Sequence, residues 1–279
     1  MERRLSLSGE RFPTGVAGLD GIGLVRPEFL LRAAGEHITC AGVRSQMEDY
    51  LRGLIEDARG APVWYRCTDL WSDEVNALAG VEEVVQEENP AIGLRGVRRH
   101  LRFQDSFRLE VEAVLSAVGA ASNVHMLFPF VTDAEQFAIA RDIVRDFGWT
   151  NRIGAMVEIP SAALCCEDLI QAGATNLLIG LNDLGSLTLG GARDHRAKLH
   201  PAVWALIGRL AAACGSVEWG VGGSMTPEIL RRAEEFGVPY VTLHYAELPD
   251  LLGVDPELLP MRDFVAEVKA ETRRRRAES

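Results

Sequence analysis

Eight short apolar runs rich in β-branched residues alternate with amphipathic stretches, and this alternation constrains the fold more than any other feature of the chain. The strand-like runs are Leu5–Leu7, Gly21–Arg26, Pro62–Arg66, Val124–Phe130, Arg152–Glu158, Asn176–Leu181, Val217–Val221 and Tyr240–His244. Helical spacing marks Gln46–Ala58, Arg108–Val118, Asp133–Phe147, Ala162–Ala172, Pro201–Ala212 and Pro227–Phe236. Thr132-Asp-Ala-Glu135 has capping-box form, and Thr226-Pro227 puts proline in a first helical turn. A β-α-β-α order builds a parallel sheet, and eight such strands favour a closed (β/α)8 TIM barrel over a doubly wound sheet. The early strands lack a G-x-G-x-x-G turn, which weighs against dinucleotide binding. The length of 279 residues suits one barrel of about 250 residues with a short extension. Residues 1–255 therefore read as the barrel and 256–279 as a C-terminal helix with a basic tail. The run Arg273–Arg276 reads as a solvated helix end, with a basic docking tail as the alternative.

Composition narrows the function. Hydrophobic residues at 47% and charged residues at 25% belong to an ordinary soluble globule. The longest apolar runs fall short of the 18 or so residues that a membrane helix needs, and Met1–Pro13 lacks the apolar core of a signal peptide. A net charge of −11 opposes sequence-independent nucleic-acid binding. Lysine occurs only at Lys198 and Lys269, so arginine supplies nearly all the positive charge. Arginine suits planar carboxylates and phosphates, although genome composition gives the same bias. Five cysteines without an export signal point to free thiols and a cytoplasmic location; without C-x-x-C spacing they read as small buried hydrophobes.

The polar residues gather where the strands end, which in a barrel is where active sites lie. Arg26 and Glu28 follow the second strand, Arg66 and Asp69 the third, Glu158 the fifth, and Asn182-Asp183 the sixth. Gly222-Gly223 ends the seventh and His244 the eighth. Glu158 and Asp183 are hard oxygen ligands suited to Mg2+ (or Mn2+), with water and substrate oxygens completing the shell. Arg26 and Arg66 suit an anion with more than one negative oxygen group, and Arg95 and Arg193 in neighbouring loops join them. The bland alternative is a set of rim salt bridges. It competes for any single residue but is the weaker reading for a whole set in register with the strand ends.

The motifs match a known pattern. Asp20-Gly-Ile-Gly-Leu-Val-Arg26-Pro-Glu28-Phe29-Leu30 resembles the "DGIGLLRTEFL" segment of the PEP-utilising enzymes: phosphoenolpyruvate synthase, pyruvate, phosphate dikinase, and enzyme I of the sugar phosphotransferase system. Tyr65-Arg66-Cys-Thr-Asp69 resembles their "R-x-x-D" strand, Glu88–Gly96 their "ENPMLGxRG", and Phe128-Pro129-Phe130-Val131 their "IPFV". Met156–Ser161 and Ile179–Leu189 resemble "MxEIPS" and "IGSNDLTQLTL", and Arg193-Asp194 and His200–Val203 follow at the family's spacing. The likeness runs from about Asp20 to Leu252. It implies the PEP/pyruvate-binding barrel, usually a homodimer, with Glu158 and Asp183 holding Mg2+. It further implies that Arg26, Arg66, Arg95 and Asn182 hold the phosphoryl group or enolate oxygens, while Arg193 helps bind the carboxylate.

The departures from the family matter as much. Where the family ends its seventh strand with "CGQ" or "CGE", whose cysteine protonates the enolate carbon, this chain reads Trp219-Gly-Val221-Gly-Gly-Ser224. Valine cannot give a proton. Leu181 replaces a serine or threonine, Pro27 a threonine, and His244 stands where the family has asparagine in "SLNPD". His244 is thus the candidate replacement acid–base group, with Tyr245 and Ser224 as rivals and a loop hydrogen bond as the plain alternative. Residues 1–19 leave no room for an ATP-grasp or phosphohistidine domain, which argues against a complete synthase or dikinase.

Three functional readings follow. The first is a stand-alone Mg-dependent enzyme acting through an enolate on PEP, pyruvate or an oxaloacetate-like 2-oxo acid, by phosphoryl transfer or carbon–carbon chemistry. The second is the PEP-site subunit of a split synthase partnered by a separate phosphohistidine or ATP-grasp protein. The third is a non-catalytic binding or regulatory protein. Retention of the charged set ranks the first above the third, and loss of the cysteine ranks it above the second.

Overall fold

A computed structural model of the protein describes residues 1–278 except Glu82 and His195. In chain order the elements are β1 (Glu2–Leu7), β2 (Ile22–Val25), α1 (Glu28–Ala34), α2 (Ala41–Ala58), β3 (Val63–Arg66), α3 (Ser72–Asn76), α4 (Gly96–Arg102) and α5 (Gln104–Val118). Next come β4 (Val124–Phe128), α6 (Ala134–Asp146), β5 (Ile153–Val157), α7 (Pro160–Leu164), α8 (Cys166–Gln171), β6 (Asn176–Gly180) and α9 (Leu181–Leu189). The chain ends with α10 (Pro201–Cys214), β7 (Glu218–Gly222), α11 (Pro227–Glu235), β8 (Tyr240–His244), α12 (Leu248–Leu252) and α13 (Phe264–Glu278). The eight strands pair in sequence order, all parallel, and β1 closes on β8 with Leu5 opposite Leu243. The chain is a (β/α)8 TIM barrel.

Two apolar layers hold it. Leu24, Trp64, Leu127, Met156, Leu178 and Tyr240 fill the barrel interior. The other strand faces, including Val25, Val157, Ile179, Val221 and Val241, pack outward under the helices. Because side chains alternate along a strand, one residue of register decides which layer a group enters. Below the interior layer, Arg4 pairs with Glu218, lies over the Tyr240 ring and closes the bottom, while the Tyr240 hydroxyl donates to Asn176. This polar seal lies at the end of a barrel where residues serve stability rather than catalysis.

The caps explain where several helices start. Thr226 caps α11 by accepting from the Ile229 N–H, as its sequence predicts. The cap of α6 lies one residue later than the Thr132 signature suggests: Asp133 accepts from the N–H of Gln136, the third helical residue, at 2.9 Å. Cys67, Cys166 and Cys214 are buried as expected, whereas Cys165 is exposed and Cys40 half-buried; all five are free. No helix among the described residues is long and apolar enough to cross a membrane.

The tail departs from expectation. Rather than ending in solvent, α13 packs against α1 and α3. The Arg275 guanidinium donates to the Arg32 carbonyl at 2.8 Å, and Arg276 pairs with Asp73. Burial of Leu259, Val268 and Thr272 fixes the segment. Arg273 and Arg274 remain exposed, Arg273 at the rim of the cavity at the barrel mouth, so the solvated reading does not describe the whole arginine run.

Candidate active site

The C-terminal ends of the strands open into a cavity of about 560 Å³, and all eight residues singled out from the sequence line it: Arg26, Arg66, Arg95, Glu158, Asn182, Asp183, Arg193 and His244. Backbone topology delivers them. Arg26 follows β2 directly, with its N–H bonded to Leu7 O at 2.8 Å. Arg66 and His244 are the last residues of β3 and β8, and Glu158 lies one beyond β5. Asn182 and Asp183 are in the first turn of α9, a helix that the apolar pattern alone does not reveal.

The charges form a chain across the mouth. Arg66 pairs with Glu28 and, at 3.5 Å, with Asp69. Arg95 grips Asp69 with two bonds of 3.0 and 2.5 Å and reaches Asp183 at 3.3 Å. Arg193 donates to Asp183 at 2.6–2.9 Å. Burial opposes the Arg95 charge, but Asp69, Asp183 and Glu158 outweigh it and hold the guanidinium above its ordinary pKa. Burial likewise pushes Asp69 up, and Arg95 and Arg66 overcome it and keep the carboxyl well below its usual range. The sequence reading placed Glu28 and Asp69 at the strand ends; the structure makes them the partners that fix two of the arginines.

Phe130 is a residue that sequence reasoning missed. Its φ of 53° lies in the left-handed region, which costs a non-glycine residue of order 1–2 kcal/mol. The conformation aims its N–H at Glu158 Oε2 (2.9 Å) and sets its ring 4.2 Å from the Arg95 guanidinium carbon. The flanking "FPFV" motif is the signal that could have found it. Gly96 makes room alongside: a Cβ there would lie 2.6 Å from Pro129 O. Gly180 does the same for Glu158, since a Cβ would lie 2.6 Å from Glu158 Cγ and 2.7 Å from Oε1.

Glu158 and Asp183 share this wall without gathering a third acidic, histidine or cysteine ligand; among the described residues no group of three metal-ligating side chains exists. The donor set still suits Mg2+, which binds through one or two carboxylates and keeps waters and substrate oxygens. Burial pushes the Glu158 carboxyl up to about 7, with repulsion from Asp183 and Asp69 adding to it. A hard cation there would offset the repulsion between Glu158 and Asp183.

His244 has a different setting from the one its sequence position suggests. Its Nδ1 lies 3.1 Å from Arg26 Nη2. Arginine only donates, so Nδ1 accepts and the ring proton sits on Nε2. Burial, then Arg26, Lys269 and Lys198, keep the ring's pKa well below its ordinary value. The ring is thus neutral near pH 7, and the imidazolium form is opposed from three sides. Val221, where the sequence departs from its pattern, is fully buried in the outer layer and does not face the cavity. The wall at that point is Gly222, Gly223 and Ser224, and no cysteine among the described residues lines the mouth.

Comparison with known proteins places this geometry. Residues 13–239 match the model of the PEP-utilising enzyme, PEP-binding domain. The phosphoenolpyruvate synthase of Pyrococcus furiosus is 34% identical over 215 residues, covering 71% of this chain and 26% of that protein. The probable phosphoenolpyruvate synthase of Archaeoglobus fulgidus is 31% identical over 246 residues, covering 80% and 32%. The multiphosphoryl transfer protein of Rhodobacter capsulatus is 32% identical over 220 residues, covering 74% and 25%. The chain thus spans about a quarter to a third of the length of these relatives. Among solved structures, RipC from Yersinia pestis has the same barrel, with a TM-score of 0.51 at 12% identity over 98% of this chain and 94% of that one.

Proposed function

The chain belongs to the PEP-utilising enzymes through their PEP-binding domain, and on that premise we propose that it is an enzyme acting on PEP, pyruvate or a related 2-oxo acid through an enolate. One observation carries this reading: two carboxylates from neighbouring strand ends, Glu158 and Asp183, open on a cavity ringed by Arg26, Arg66, Arg95 and Arg193. Glu158 and Asp183 would hold Mg2+, which supplies positive charge against a developing enolate oxygen. Arg66 and Arg95, each fixed by a buried acid, cost little reorganisation when they meet an anion. Asn182 presents an amide to the same space. Arg26, whose guanidinium burial pushes down to about 10 against neighbouring Glu28 and together with Arg66, is steered by the neutral His244 ring. His244 is therefore a positioning residue first: while Nδ1 accepts from Arg26 and the ring is neutral, its Nε2–H is a hydrogen-bond donor, and acid catalysis would require the imidazolium that its surroundings oppose.

A second reading draws on the length of the relatives, of which this chain matches only a part. It makes the barrel the PEP-site subunit of a phosphotransferase whose phosphohistidine or ATP-grasp parts are separate polypeptides. Incubation with Mg2+ and PEP, pyruvate or oxaloacetate, followed by 31P and 1H NMR, decides between the two. Turnover or solvent-deuterium exchange at C3 by the chain alone supports the first reading. Turnover only on adding a phosphohistidine protein supports the second. Oxalate binding that is equal in Mg2+ and in EDTA would overturn the metal assignment of Glu158 and Asp183.

A further inference from the structure

We propose that Lys269 and Arg273, carried over the mouth by α13, form with Arg26 a subsite for a second anionic group of the substrate. The inference rests on the PEP or 2-oxo acid reading of the mouth and adds a part that the strand ends do not supply. Val265, Lys269, Thr272, Arg273 and Arg276 line the cavity, and their spacing of three, four, seven and eight residues puts them on one stripe of the helix. The helix is held in place by other groups: Arg275 on the Arg32 carbonyl, Arg276 on Asp73, and the buried Val268 and Thr272. Lys269 and Arg273 are thus presented to the mouth without being needed to dock the helix.

The pairing of charges singles out these groups. Arg66 is matched by Glu28, Arg95 by Asp69, Arg193 by Asp183, Arg32 by Glu74 and Arg276 by Asp73. Among the described residues no carboxylate lies within ion-pair distance of Arg26, Lys269 or Arg273. Arg26 keeps a buried Nε with no hydrogen-bond partner; its Nη2 meets the His244 ring, its plane lies over Phe29, and Glu28, Glu10 and Glu247 bear on it from beyond ion-pair distance. The charges that bear on Lys269 are those of Arg26, Arg32, Arg193 and Arg273, which add to partial burial in lowering its pKa. Lys269 and Arg273 are exposed at the rim, where solvent screens their mutual repulsion, and cations gathered round one cavity favour an entering anion. The cavity of about 560 Å³ leaves room beyond a three-carbon head group at Glu158 and Asp183. The chemistry required is an anionic group set apart from the 2-oxo or enol carboxylate: the phosphoryl group of PEP or the far carboxylate of a 2-oxo diacid.

Calorimetry in Mg2+ at low salt tests this with three probes: oxalate, which carries the head group alone, PEP, and 2-oxoglutarate. Lys269→Gln/Arg273→Gln should weaken PEP, 2-oxoglutarate or both about tenfold, the scale of one charge-assisted contact, and oxalate about twofold or less. Loss confined to PEP assigns the phosphoryl group, and loss confined to 2-oxoglutarate assigns the carboxylate. Arg231→Gln/Arg262→Gln removes the same charge from exposed surface and should leave all three ligands unaffected. Unchanged affinities in the Lys269/Arg273 variant, or equal loss for oxalate, would overturn the subsite while leaving the head-group site intact. Wild-type protein that fails to bind oxalate would instead overturn the reading beneath it. Unchanged thermal melting, with Lys269→Gln alone as a milder variant, keeps a folding defect from passing as lost binding.

Discussion

At the scale of single residues, the site is a set of buried charges whose partners decide their behaviour. Arg66 is 6% exposed and neutralises both Glu28 and Asp69. Arg66→Ala leaves the buried Glu28 carboxylate without its ion pair while Asp69 keeps Arg95, and breaking one buried pair costs about 3–5 kcal/mol in comparable settings. It should lower the urea midpoint and abolish detectable oxalate binding, whereas Arg231→Ala, an exposed helix pair, should do neither. His244 yields a sharper test because asparagine can replace one of its functions. An Asn Oδ1 can accept from Arg26 as Nδ1 does, but the side chain offers no imidazole proton. His244→Asn should therefore hold oxalate affinity within about threefold, the size of a retained hydrogen bond. If C3 exchange of pyruvate with solvent deuterium disappears in that variant, His244 supplies the proton; if exchange persists, it only positions Arg26. The acids and arginines themselves were legible in the sequence because each directly follows an apolar strand. Phe130 was not, because a backbone N–H in the left-handed region carries no side-chain signature.

At the scale of elements, the βα units were readable because strand and helix periodicities differ and turn residues separate them. The short helices α1, α3, α4 and α9 were hidden: with five to nine residues each they carry too few apolar positions to show a period. Their placement matters, since α1 brings Glu28 to Arg66 and α9 brings Asn182 and Asp183 to the mouth. The role of α13 was hidden for a different reason. Its inner face meets a charged cavity, so its stripe is cationic and reads as a solvated surface. A strand can also fail through a single atom. At the end of β6, Gly180→Ala puts a methyl group within 2.7 Å of Glu158 Oε1 and must displace that carboxylate. Since the backbone there has φ of −90°, which alanine tolerates, the fold should survive. The expected outcome is a melting temperature lowered by a few degrees with Mg2+-dependent oxalate affinity reduced about tenfold or more, the loss expected when a charge contact is displaced. Equal affinity in the two proteins would remove Glu158 from the site.

At the scale of the whole molecule, the barrel buries carboxylates both at its mouth and between strand and helix layers, and each buried titratable group couples stability to pH in its own direction. Glu110 lies on α5 behind β3, fully enclosed, where it accepts from Tyr65 OH, the Thr68 N–H and the Thr68 hydroxyl. Burial raises its pKa to about 7, more than these three hydrogen bonds lower it. Burial also raises Glu247 to about 7. A carboxyl whose folded pKa exceeds its unfolded value binds its proton more tightly in the native state. It therefore stabilises fully below the unfolded value, near 4.3, and that contribution is lost as pH rises through the folded value. Glu110 and Glu247 thus contribute a falling share between about pH 4.5 and 7, while His37, His100, His125 and His244, whose pKa values burial lowers, contribute a rising one, so the Glu110 share is read from the difference between wild type and variant. Asp69, held well below its usual range by Arg95 and Arg66, acts in the opposite sense, but only at pH below that window. Glu110→Gln keeps an acceptor for Tyr65 and Thr68 and removes the titration. Urea unfolding at intervals from pH 5 to 7.5 should show a wild-type slope more negative than that of this variant by up to one proton, and the two curves should converge at the acid end. Parallel curves would show that Glu110 is ionised throughout and that its three donors, rather than the enclosing helix, set its charge.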